Sequence, residues 1–432
     1  MHRLRAAAMT EPGRLRGIGA LLALLIVLFG AVTAWQFADR TSAADAVVEN
    51  SQPLSVDAAS IYRSLADADT AASSGFLAGG DQPRSMRERY ERNISEASRL
   101  LASAAANSKG SASAQKQIIK LNQGLPRYTA LVESARANNR QGLPLGGAYL
   151  RHANEEMRGE LLPAAKKLYT AQTARLGEDY ADAQAWPWFA IAAGLLALGG
   201  LGWAQRRNYH RTNRVFNLGL LGATAAALVA LMWLTGAHAM ARSALNESDE
   251  KGAQSLRVLN EAWIGSLQAR GDENMTLVAR GGGSAYEESY RKQMGQVAGA
   301  DGGGASDSGS LAHAFDLADD RAGRQPVREA MNAVEQWRQR HEAAREKDDG
   351  GDYSTAVGMV IGGKGSGSTG EAFDEVDAGL AKASAHEQSE FERKADFGLS
   401  ALSTVAIGGA VLALLGAVAA VLGIGRRLSE YR

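Results

Sequence analysis

The chain has no cysteine, only 8 prolines in 432 residues, and 6% aromatic residues, and its 47 basic residues are matched by 47 acidic ones. Without cysteine there can be no disulfide staples, thiolate metal sites or thiol nucleophiles. Charge neutrality argues against nucleic acid as a partner, since such proteins carry a basic excess. Scarce aromatics and abundant alanine and glycine favour helices with small-residue cores over long strands.

Signature motifs of catalysis are also missing. Gly358 to Lys364 resembles a phosphate-binding loop, but Gly365 stands where Ser or Thr would hold magnesium. His341-Glu342 is followed by Ala343, Ala344 and Arg345, so it does not form a zinc-binding histidine pair. No nucleophile elbow or kinase signature set occurs. The expectation is a protein that is not an enzyme and has no cofactor or metal.

What the chain does have is four apolar, charge-free runs: 17–35, 186–204, 215–234 and 399–424. Each is near the roughly 20 residues that cross a bilayer core as a helix. The first could be mistaken for a signal peptide ending at Val32-Thr33-Ala34. Its apolar run exceeds the ~7–15 residues of such a region, which favours a retained anchor.

Arginines 3, 5, 14 and 16 precede the first run, Arg206, Arg207, Arg211 and Arg214 fill the link between the second and third, and Arg426, Arg427 and Arg432 follow the fourth. By the positive-inside rule all three clusters face the cytoplasm. Segments 36–185 and 235–398 then lie outside, with 1–16, 205–214 and 425–432 inside. Trp35, Trp186, Trp188 and Trp233 would mark the outer interface and Trp203 the inner one. Asn217 is the one strongly polar amide within a run. The absence of charge in the runs argues against an ion pathway.

The two outer segments carry matching patterns. Asp69 to Gly80 precedes Tyr90 as Asp272 to Gly283 precedes Tyr290; Tyr128 precedes Ala135-Arg136 as Trp337 precedes Ala344-Arg345. The apolar pairs Leu161/Leu168 and Phe373/Leu380 extend the match. Helical periodicity through Ile61, Leu65, Ala72 and Phe76, with breaks at 79–83, 110 and 142–147, predicts four helices per segment. The fold class is therefore all-α: a polytopic membrane protein with four transmembrane helices and two tandem extracytoplasmic four-helix bundles.

Asp69 falls near the apolar stripe of its helix, so it needs a partner; Arg87 and Arg136 complete a set of candidate polar-core residues. On the inner side, Arg206, Arg207, Tyr209, His210, Arg211 and Arg214 are candidate contacts for a partner. Topology requires the arginines but not Tyr209 or His210.

Tandem span-flanked helical modules, one short basic link and no output domain resemble the actinobacterial GlnX family across the whole chain. The stretches Leu77-Ala-Gly-Gly80 and Ala135-Arg-Ala-Asn-Asn-Arg-Gln-Gly142 are also similar to four-helix-bundle sensor modules of chemoreceptors. The resemblance implies a relay from an extracytoplasmic amino-acid-binding lipoprotein, sensing aspartate or glutamate, to the soluble Ser/Thr kinase PknG. It brings no catalytic residues. The lipid bilayer is the third expected partner, and a homodimer is left open. Competing readings are direct binding of a small anion through arginines such as Arg63 or Arg87, and a non-catalytic envelope scaffold.

Overall fold

A computed structural model describes residues 11–79, 82–108, 111–212, 218–247, 252–299, 309–362 and 366–429. Every described element is helical, with no strand among the described residues. The chain forms two compact units: Met1–Val48, Glu178–Glu247 and Arg393–Arg432 make one, Glu49–Gly177 and Ser248–Glu392 the other.

The first unit holds α1 (Glu11–Ala46), α7 (Trp188–Thr212), α8 (Leu218–Glu247) and the later part of α14 (Thr369–Ser429). Its core is built from small residues, with Ala223, Ala227 and Ala420 buried beside Leu22, Ile26 and Leu201. Gly194 lets two neighbours close in: a Cβ there would stand 2.9 Å from Phe29 and 3.0 Å from Leu231. Close approach through small residues is how helices associate without a hydrophobic driving force.

The outer surface of this unit is apolar. Leu24, Leu196, Leu218 and Leu422 are 63%, 66%, 80% and 65% exposed, and Trp35, Trp188, Trp203 and Trp233 are also exposed. Many large apolar side chains exposed to water in this way would promote aggregation, whereas lipid would solvate them. The helical stretches Gly17–Leu77, Leu145–His210 and Leu218–Glu247 are long and apolar enough to cross a membrane. The expected run at 399–424 lies in α14 and is not among those three. Most of its side chains, like Asn217, fall outside the described residues.

At one end of the unit the chain breaks between α6 (Leu162–Gln184) and α7, where Pro187 cannot continue a helix. The freed backbone groups are taken up by α1. Arg40 donates to the carbonyls of Ala185 at 2.7 Å and Trp186 at 3.2 Å, while the Gln36 side chain accepts from the Ala190 N–H at 2.8 Å. A helix end buried without such partners would be costly.

The second unit contains α2 (Gln52–Leu77), α3 (Arg84–Asn107), α4 (Ala112–Arg140), α5 (Leu145–Glu156) and most of α6 from the earlier segment. The later segment supplies α9 (Gln254–Val278), α10 (Ser284–Ala298), α11 (Ser310–Leu317), α12 (Arg321–Asp349), α13 (Tyr353–Ile361) and the start of α14. Single π-helical turns, Val47–Ser51 and Met157–Leu161, join α1 to α2 and α5 to α6.

The two segments share one hydrophobic core, which runs from Ala58 through Leu168 and from Val258 through Ala383. One core thus serves both segments, where one four-helix bundle per segment was expected. The reason lies in α2 and α9, which are buried around most of their circumference and so must pack against each other as well as their own neighbours. Arg63 bonds Asn260, Thr70 bonds the Leu267 carbonyl, and Asn274 bonds Ser74. The separation of 197 to 200 residues in all three pairs shows that the helices run parallel.

One local expectation needs correcting. Gly146 and Gly147 do not break the chain but belong to α5; the turn is made at Gly142, with φ +67°. Gly146 permits α5 to approach α4, since a Cβ there would lie 3.0 Å from the Ala135 carbonyl oxygen. The link 205–214 begins as helix, because α7 continues to Thr212.

Candidate functional site

The seam between α2 and α9 is polar at its centre, although both helices are buried there. Asp69, Thr70, Ser73 and Ser74 from α2 are enclosed, as are Arg270, Asp272, Glu273, Asn274 and Thr276 from α9. Buried polar groups must be bonded, so partners fix the arrangement. Asn274 donates to Ser74 at 2.8 Å and to Ser73 at 3.2 Å, and Thr70 donates to the Leu267 carbonyl at 2.8 Å.

Asp69 sits 5% exposed and accepts from Tyr128 Oη at 3.2 Å and Asn154 Nδ2 at 2.6 Å. Burial raises its carboxyl above the usual range, with Arg158 and the two bonds opposing. Neither arginine expected beside it is its partner. Arg87 is exposed and pairs with Glu91 at 3.4 Å, because the helical phase of α3 turns Arg89 inward instead. Arg136 is buried, but it pairs with Glu133 at 2.7 Å and lies over the Tyr90 ring at 4.1 Å.

Asp272, the sequence counterpart of Asp69, meets Arg158 at 2.5 Å, an ion pair from one segment to the other. Burial raises this carboxyl too, with Arg158 opposing and Asp69 adding to the rise. The carboxylate bonded as Asp69 is bonded proves to be the next residue, Glu273, whose Oε2 accepts from Trp337 Nε1 at 3.2 Å. Glu273 also pairs with Arg270 and, at 2.9 Å, with His341. His341 reaches Glu287 at 3.2 Å and stacks on Tyr290 at 3.8 Å. Although burial opposes it, these carboxylates raise His341 to about 9. Glu273 in turn lies below its usual range because Arg270 and His341 outweigh burial.

A second ionic knot ties α3 to α14. Arg89 contacts Asp67 at 2.8 Å, Asp374 at 3.1 Å and Asp377 at 2.9 Å. Sequence pattern missed it, because its members come from three helices far apart in the chain.

Asp320, His386 and Glu390 bring donor atoms within 4.8 Å of one another, a metal-like spacing. One Asp320 oxygen, however, also caps α12 by accepting from Gly323 N at 2.7 Å. The loop resembling a phosphate site continues α13 as far as Ile361, and Lys364 lies outside the described residues.

Of the inner-link candidates, Arg206, Arg207, Tyr209 and His210 lie on the last turns of α7. Arg207 stands over Trp203 at 5.4 Å, and the Tyr209 and His210 rings meet edge to face at 5.7 Å. The side chain of Arg211 and all of Arg214 fall outside the described residues.

Residues 43–181 match the family described as the actinobacterial sensor domain. The chain is similar to that family over its earlier segment, which supports a sensing or signalling role. No curated protein and no solved structure matches the chain.

Proposed function

We propose that the chain is a non-catalytic transmembrane signal relay. In this reading the runs 17–35, 186–204, 215–234 and 399–424 all cross the membrane, both termini are cytoplasmic, and the two large segments form paired extracytoplasmic four-helix bundles. An amino-acid-binding lipoprotein engages the paired segments, and a cytoplasmic Ser/Thr kinase reads the basic link at 205–214.

The observation that carries this reading is the parallel pairing of α2 with α9 through a fixed set of buried polar bonds. A seam whose partners are specific favours discrete registers over continuous sliding. The helical stretch from Gly17 to Leu77 is unbroken, so a change of register at the seam has a mechanical route along the chain. A partner that favours one of two packed arrangements by a few kcal/mol would switch the population. The similarity of residues 43–181 to a sensor domain supports the same reading.

Cross-linking in intact cells followed by purification and mass spectrometry tests it. Recovery of an amino-acid-binding lipoprotein together with a soluble Ser/Thr kinase is expected. If efficient cross-linking brings neither, the relay reading fails and a scaffold becomes the better account.

A further inference from the structure

Lower along α2 and α9 the two segments enclose a cavity of about 480 Å³, walled by α2, α6, α9 and α14. That volume is in the range of small-molecule sites. Its wall contains two arginines, Arg63 and Arg257, and no aspartate or glutamate. Much of the remainder is apolar, including Leu176, Leu256 and Phe391.

Arg63 is held in place but not neutralised. Its Nη1 donates to Asn260 at 2.8 Å and its Nη2 to Ser60 at 2.9 Å, and its guanidinium lies 4.4 Å over the Trp263 ring. No carboxylate lies within ion-pair distance of it among the described residues. Asp377 attracts it from further off, but that carboxylate is occupied by Arg89 at 2.9 Å and Trp263 Nε1 at 2.6 Å. Burial pushes the Arg63 guanidinium down to about 10. A guanidinium carries five N–H donors, and only two are spent here.

A second group in the wall is also unsatisfied. Gln52 is 6% exposed, and its Nε2 has no acceptor among the described residues. Arg63 with donors unspent, and Gln52 lacking an acceptor in the same basic and apolar wall, define what would fill it. An anion must supply acceptors to both donors, and its remaining surface must be apolar.

We propose that this cavity binds a small organic carboxylate with an apolar body, the carboxylate on Arg63 and within reach of Gln52. Arg257, exposed at the rim, draws the anion in. Because Arg63 belongs to the earlier segment and Asn260 and Trp263 to the later one, the bound anion bridges the two and favours the register that holds them together. Binding of a small anion is read on the purified protein without any partner, so it stands or falls independently of the relay.

Calorimetry on the full-length protein in nanodiscs tests it, with phenylacetate, hexanoate and glutamate as probes beside their neutral counterparts phenylacetamide, hexanamide and glutamine. Phenylacetate or hexanoate should bind at least tenfold more tightly than its amide. Arg63→Met should remove that preference, Gln52→Leu should weaken it severalfold, and the exposed Arg87→Met should leave it unchanged. Should Arg63→Met fail to fold by circular dichroism, Gln52→Leu carries the test alone. No preference for any acid over its amide, or an unaltered preference in a folded Arg63→Met and in Gln52→Leu, overturns the proposal. Binding confined to glutamate would overturn the apolar body and remove the need for a separate binding protein.

Discussion

Trp337 donates its indole N–H to Glu273 at 3.2 Å, as Tyr128 donates its hydroxyl to Asp69 at the same distance. In each segment an acid on the first helix is bonded by an aromatic from a long later helix, α4 for Asp69 and α12 for Glu273, yet the two surroundings differ in charge. Glu273 has Arg270 and His341 against it, whereas Asp69 has only neutral donors at bonding distance. Glu273 is therefore held in its ionised form, whereas the surroundings of Asp69 resist its ionisation.

The first consequence is a pH dependence of stability. Unfolded histidine titrates near 6.5, while folded His341 is raised to about 9. Protons thus bind the folded state more tightly, so this stabilisation is complete below about pH 6.5 and is lost as pH rises through 9. The shift corresponds to something on the order of 3 kcal/mol. The melting temperature should fall between pH 6.5 and 9.5, and His341→Gln should melt lower at pH 6 and lack most of that fall. A slope of equal size in the variant would show that His341 is not its source.

Asp69 should respond in the same sense, because its folded state also holds the proton more tightly. Its carboxyl is raised, so ionising it at neutral pH costs folding energy that protonation recovers. Asp69→Asn removes that charge while keeping a side-chain oxygen for Tyr128, so it should cost less than about 1 kcal/mol. Asp69→Leu strands Tyr128 and Asn154 and should cost roughly 1–3 kcal/mol. Thermal melts of both variants at pH 7 give the order, and an Asn variant less stable than the Leu variant would contradict this account.

Arg89 and Arg87 differ by two positions in α3 and should differ sharply in effect. Removing Arg89 leaves Asp67, Asp374 and Asp377 without their shared cation, so Arg89→Ala should cost about 3 kcal/mol. Arg87 is exposed in an i,i+4 pair, and its removal should stay within about 0.5 kcal/mol. Hydrogen exchange adds a second readout, since only Arg89→Ala should speed exchange in both α3 and the start of α14.

How far the chain could be read from its letters follows from the range of the interactions. Helices such as 84–107 and 112–140 follow local periodicity and end near the breaks read at 110 and 142–147, so they were legible. Three of the four apolar runs were legible for the same reason. Contacts between segments were not. Periodicity places Asp69 on a buried stripe but cannot show that Asn154 reaches it from 85 residues away. It also could not show that α2 and α9 bury each other, because their apolar stripes are interrupted by the polar residues that form the seam. The repeat match pointed to Asp272 as the counterpart of Asp69. Packing moved that role by one residue, to Glu273, because Arg158 claims Asp272.

The exposed tryptophans allow a direct test of what solvates the first unit. Trp35, Trp188 and Trp233 are open on its surface, while Trp337 is fully enclosed in the second unit. In nanodiscs made with brominated acyl chains, single-tryptophan variants retaining Trp35, Trp188 or Trp233 should be strongly quenched. The variant retaining Trp337 should keep its emission. Equal emission in all four would mean that lipid does not cover this surface.

The last prediction concerns what the polar seam is for. Asn274 spends its amide on Ser73 and Ser74, and a buried amide at a helix contact contributes less to stability than a well-packed leucine would. Its value lies in register, since only one alignment of α2 against α9 brings the amide to both hydroxyls. A leucine packs acceptably in several alignments. Asn274→Leu should therefore melt no lower than the wild type, within about 1 kcal/mol, once Ser73 and Ser74 are changed to Ala to avoid stranding them. Cysteine cross-links placed along α2 and α9 should form at a single register in the wild type and at several in the triple variant. If the triple variant keeps a single register, shape alone aligns the two helices. Discrete switching at the seam would then lose its physical basis.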